Sequence, residues 1–151
     1  MLDGTTRMGL LTDFFIAAPT EIQGVDIAHS PVGSFPGLHA KRTDPVKLVQ
    51  LQCCIDGATF EQRMPLLAEM LVRDAGQQGP WIFRVPQTLS DTLASASPAE
   101  IERHGRAWAS TDEWRADGGT EAELVPYLGE VAQLAARARA EQRALYVWMC
   151  L

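Results

Sequence analysis

Ala144-Leu145-Tyr146-Val147-Trp148-Met149-Cys150-Leu151 closes the chain, directly behind a long alanine-rich helical pattern. The run is far shorter than the roughly 20 residues of a membrane-spanning helix. Its apolar residues fall on odd and even positions alike, so it reads as a strand buried on both faces. Ahead of it Leu128, Val131, Ala135 and Ala138 recur at spacings of three and four, the face of a helix predicted from Pro126 to about Gln142. A doubly covered strand fed by a helix sets the fold class as α+β: a small mixed sheet packed with about four to five helices, the C-terminal strand inside it. The 151 residues, 46% hydrophobic and 21% charged, are enough for one core without disulfide staples.

The rest of the chain extends this pattern. Met8 to Ile16 begins an apolar run of strand length that stops before Pro19, and the polar residues 1–7 are expected to be an extension outside a domain spanning 8–151. Gly24, Pro31, Gly33, Pro36 and Gly37 punctuate a loop, with a helical turn expected after Thr20. Asp44-Pro45 is an N-cap followed by proline at the first helical position, and Gly57 sits just past the predicted end at Asp56. On that helix Leu48, Leu51 and Ile55 form one apolar stripe and Val46, Val49 and Cys53 another, roughly opposite, a pattern that either a two-fold dimer or, in a monomer, the Gly/Pro loop would cover. Met64–Ala75 reads as a second helix, 76–80 as a turn, and Trp81–Val85 as a strand. A short helix carries Leu89 and Leu93, and Ser97-Pro98-Ala99-Glu100 is a capping box opening another. The acidic stretch from Asp112 to Glu123 reads as an exposed loop, because Pro126 would sit inside any helix that started at Thr120.

Nineteen acidic against thirteen basic side chains give a net charge of −6, spread over both halves. Without a basic stripe, a nucleic-acid partner is disfavoured. No apolar stretch predicts a membrane span, and no basic segment feeding an apolar region announces a secretory signal. Cys53, Cys54 and Cys150 are an odd set with neither a disulfide framework nor a metal spacing, so a reducing cytoplasm is the expected compartment.

No motif names a reaction. Gly33-Ser34-Phe35-Pro36-Gly37 lacks the spacing of a nucleophile elbow, and neither lysine follows a glycine as a phosphate loop requires. His29, His39 and His104 show no metal-ligand spacing and read as solvated or core residues; neither a metal nor a cofactor is expected. Cys54 lies on the helix stripe of Lys47, whose ammonium would lower a thiol pKa, although a small residue near the surface is the simpler reading. Two constellations stand out. Lys41-Arg42-Thr43-Asp44 joins a strand to a helix N-terminus, where two cations add to backbone N–H groups that favour anions, although Asp44 filling the cap in an ordinary solvated turn is the simpler reading. Trp114, flanked by Asp112, Glu113 and Asp117, is the candidate exposed aromatic for an interface, with the acids steering a basic partner; the alternative is that its ring folds back onto the core.

The order of elements from Trp81-Ile82-Phe83-Arg84-Val85 to the final apolar strand resembles the small YfbM-like bacterial proteins of unknown function. Met8-Gly9-x-Leu11-Thr12-Asp13-Phe14-Phe15, Lys41-x-x-Asp44-Pro45 and Leu145-Tyr146-x-Trp148-x-Cys150 look more like a narrower set of uncharacterised actinobacterial proteins. That resemblance implies a single α+β domain beginning at Met8 and no established activity or cofactor. Two functions from different classes follow. The first is a protein-interaction module, in one form an immunity-like protein that neutralises a basic toxin, with Asp112, Glu113, Trp114 and Asp117 as the contact. The second is a small-molecule or anion-binding protein or enzyme with its site at Lys41–Asp44.

Overall fold

The computed structural model describes residues 10–151; the polar extension at 1–7 and the start at Met8 lie outside the described residues. Five strands form one sheet in the order β2-β1-β5-β4-β3: β1 (Leu11–Ala17), β2 (Gly37–Ala40), β3 (Leu71–Asp74), β4 (Trp81–Arg84) and β5 (Ala144–Cys150). Every neighbouring pair is antiparallel, so the sheet is not mixed as the sequence suggested. The C-terminal strand is central, with Ala144 to Trp148 all buried. Its even and odd residues serve two cores. Phe14, Ile16, Leu145 and Val147 pack under the helices, while Phe15, Ala17, Tyr146 and Trp148 face the opposite side. There the 3-10 turn Pro19–Gly24 and the following loop close over them through Ile22, Val25 and Phe35.

Seven helices follow: α1 (Pro45–Asp56), α2 (Phe60–Arg63), α3 (Leu66–Met70), α4 (Gln87–Ser95), α5 (Pro98–Ala109), α6 (Asp112–Ala116) and α7 (Glu121–Ala140). α1 has the predicted boundaries: the Asp44 carboxylate accepts from the Lys47 N–H at 2.9 Å, and Gly57 ends the helix at φ 75°. The expected helix over 64–75 is instead α3 followed by β3, because Leu71–Asp74 pairs with β4 across the turn at 75–80. The acidic stretch is not a loop either. α6 fills its first part, and Thr120 caps α7 through the N–H of Glu123. Pro126 is tolerated because it and Ala122, whose carbonyl loses its helical donor, are both exposed to water.

Val49 is fully buried in the same core as Leu48 and Leu51, and α1 packs against α2, α3 and α5. Val46 and Cys53 are half-buried. The stripe Val46/Val49/Cys53 is therefore covered within one chain, and the self-complementary patch a dimer would need at that place is absent.

Candidate functional site

A cleft of about 620 Å³ opens where β1 begins and β2 ends, against the turn between α6 and α7. The sheet contributes Asp13, His39, Ala40, Lys41 and Arg42 and the α6–α7 side contributes Trp114, Asp117, Gly118, Gly119 and Glu123, with Asp13 and His39 projecting on the face that carries Ser30 and Trp148, opposite the face under the helices. Asp13 and His39 are direct partners in the β1–β2 register, so their side chains leave the same face of the sheet side by side. Asp13 is nearly buried, and both of its carboxylate oxygens are engaged. Ser30, carried over that face by the long loop, donates its hydroxyl at 2.5 Å, and His39 Nδ1 lies 2.8 Å from the other oxygen. An ionised carboxylate only accepts, so in the neutral ring Nδ1 is the nitrogen that carries the proton and the exposed Nε2 the one with the lone pair.

Lys41 and Arg42 turn the chain from β2 into α1. Arg42 adopts a left-handed backbone, φ 34°, which a β-carbon disfavours. It is held from two sides: its carbonyl accepts from Lys47 Nζ at 2.7 Å, and its guanidinium donates to the Asp117 carbonyl at 3.0 Å. Beneath it a buried polar seam anchors the turn. The Thr43 N–H donates to Thr12 Oγ1, the Thr43 hydroxyl donates to the Lys41 carbonyl, and Tyr127 donates its hydroxyl to Thr43 Oγ1 at 2.6 Å. Burial pushes the Tyr127 phenol well above its ordinary range, so it stays a proton donor at all working pH.

The opposite wall is fixed by a buried lysine. Lys47 is 1% exposed, and its ammonium is ion-paired with Asp117 and sits 4.1 Å from the centre of the Trp114 ring. Trp114 packs edge-on against Trp108, which stacks on Tyr127 and donates its indole N–H to the Lys47 carbonyl at 2.8 Å. The wall is thus riveted to α1 by one cation and three aromatic rings.

The sequence-derived candidates divide on this geometry. Of the four residues at 41–44, Lys41 and Arg42 line the cleft, whereas Thr43 is completely buried and Asp44 closes the helix N-terminus by capping it. An anion therefore cannot take the helix end, and the cationic wall beside it is what remains. Trp114 is not an exposed anchor: it is 3% exposed, because its ring completes the core and receives Lys47. Of its acidic neighbours, Asp117 is spent on Lys47 and Glu113 accepts from Gln50, while Asp112 stays exposed. Cys54 is not activated by Lys47. Its thiol is pushed up by burial and by the neighbouring Cys53, and the Lys47 ammonium points elsewhere. Among the described residues no group of three or more His, Cys, Asp and Glu side chains is placed to hold a metal ion, and no helix is long and apolar enough to cross a membrane.

The pairing of Asp13 with His39 and Ser30 escaped the sequence reading, since the three residues are spread over 27 positions and only the β1–β2 register and the loop crossing bring them together. No family model, curated protein or solved structure matches this chain.

Proposed function

We propose that the protein binds a small molecule with an anionic group in the cleft beside β2. The observation that carries this reading is a pair of cationic side chains at the cleft whose donors are not used up among the described residues. The Lys41 ammonium is exposed and has no hydrogen-bond partner among the described residues, and Arg42 commits one guanidinium nitrogen to Asp117. Asp117 is ion-paired with Lys47, and the nearly buried Asp13 carboxylate spends its acceptors on Ser30 and His39. Uncommitted positive charge on a concave wall favours an anion, and the cleft volume of about 620 Å³ suits a metabolite-sized ligand. Glu123, exposed on the far rim, favours a hydroxyl or amine at the other end of the ligand.

The alternative, a basic protein partner received by Asp112 and Glu113, is less well supported, because the burial of Trp114 leaves those acids without an aromatic anchor. Thermal melting with a panel of phosphates and carboxylates separates the two. Ligand at 100 times its Kd stabilises by about 2.7 kcal/mol, a midpoint rise of roughly 5–10 °C for a chain of this size. Lys41→Glu is expected to remove that rise. A panel without any effect, or a rise undiminished in Lys41→Glu, would refute anion binding at this wall.

A further inference from the structure

The geometry points to a catalytic role for this cleft: His39, oriented by Asp13, is a general base that activates water for hydrolysis of an ester carrying an anionic group. This inference rests on the cleft being a ligand site. The Asp13 carboxylate is buried, and its second oxygen is occupied by Ser30, so its remaining acceptor capacity is directed at His39 Nδ1. That contact fixes the ring's orientation and tautomer together, and leaves Nε2 as an unshielded acceptor at the cleft. Asp13 is a positioning residue in this scheme. Ser30 is not a nucleophile, since its hydroxyl is directed at Asp13 and not at the imidazole.

Lys41 follows His39 by two residues and both line the cleft, so an anionic group held at Lys41 can bring the rest of the ligand past Nε2. The chemistry balances without a further reactant. His39 Nε2 takes a proton from water as the water oxygen bonds to the acyl carbon, and the C–O bond to the alcohol then breaks. The imidazolium returns the proton to the departing alkoxide, leaving a carboxylic acid, an alcohol and neutral His39.

The test uses the full chain with the mono-4-nitrophenyl ester of adipic acid, which carries a carboxylate, and 4-nitrophenyl acetate as the neutral comparison. The expected result is turnover of the anionic ester at least tenfold above that of His39→Gln, with the neutral ester slower. Asp13→Asn keeps the acceptor for Ser30 but turns an amide N–H toward Nδ1, which forces the proton to Nε2. It is expected to lower kcat about 100-fold or more with KM little changed, and nitrogen-15 NMR should report its His39 as the Nε2–H form against Nδ1–H in the wild type. Hydrolysis no faster than in His39→Gln would overturn the inference. So would an Nε2–H tautomer in the wild type, or a stoichiometric burst of nitrophenolate, the mark of an acylated imidazole. Anion-induced midpoint shifts that survive alongside any of those results would leave the binding reading standing while the base falls.

Discussion

Replacing Lys47 by methionine probes the rivet that holds the cleft's second wall. Methionine keeps most of the buried stem, so the core loses little volume and the change falls on the ammonium. Three contacts disappear: the donation to the Arg42 carbonyl at 2.7 Å, the ion pair with Asp117, and the approach to the Trp114 ring at 4.1 Å. A hydrogen bond from a charged donor is worth about 1.5–3 kcal/mol, and a cation over an aromatic face about 0.5–2 kcal/mol. The desolvation of a buried ammonium works the other way, by several kcal/mol before its partners offset it. Asp117, with 37% of its side chain exposed, recovers water when the partner goes, so its share of the loss is small. The balance is a net loss of about 2 kcal/mol, read as a lower urea midpoint at unchanged m and a thermal midpoint about 4–8 °C lower. Because the Arg42 carbonyl and Asp117 are both released, the left-handed turn at Arg42 and the glycine pair at 118–119 should also loosen, visible as faster amide exchange there than in the wild type. Stability within about 0.5 kcal/mol of wild type, with exchange unchanged at those residues, would show that the buried ion pair contributes nothing net and that something else fixes the wall.

Three further outcomes test the packing and its charge. Val49→Glu places a carboxylate at a fully buried position and is expected to abolish cooperative folding; a folded variant, monomeric or not, would mean that Val49 is less enclosed than described. Gly105→Val should cost about 2 kcal/mol by chemical denaturation, because a β-carbon there already comes within 2.9 Å of Val125 Cγ2 and 3.0 Å of its Cα, and α5 must move off α7 to admit it. His104 has its pKa held below the ordinary histidine value, first by burial and then by the charge of Arg103, with Glu100 opposing. Its unfolded state therefore binds the proton more readily than its folded state, so His104's contribution to stability is fully present above about pH 6.5 and declines as pH falls from there through the folded-state pKa. His104→Gln should flatten the pH dependence of stability over that acidic window, and an unchanged slope would contradict the assignment.

Elements whose limits are written locally were legible in the sequence. The cap at Asp44, Pro45 and Gly57 bounds α1, Ser97 with Glu100 opens α5, and the apolar run at the C-terminus is β5 in the centre of the sheet. What failed depended on partners far along the chain. Leu71–Asp74 continues a helical pattern by composition and becomes a strand only because β4 offers its edge. Val49 reads as half of a second apolar stripe, but the short helices α2 and α3 that pack on α1 carry too few residues to announce themselves. The acidic setting of Trp114 suggests exposure; the cavity between Trp108 and Lys47 that takes the ring is assembled from α1 and α5 and has no local signature. Lys41 and Arg42 were visible as cations at a turn beside the cap at Asp44, whereas the Asp13–His39 pair beside them follows from the β1–β2 register.

The most direct measurement on the cleft itself is a proton–nitrogen NMR titration of the full chain with the anion that raises the melting midpoint most. Saturable shifts are expected at the amides of Asp13, His39, Lys41, Arg42, Gly118 and Gly119, all of which line the cavity, and they should vanish in Lys41→Glu while that variant keeps its dispersed spectrum. Shifts confined to Asp112 and Glu113, shifts scattered over the surface without saturation, or a cleft that stays silent while the midpoint rises would each contradict ligand binding between β2 and the α6–α7 turn.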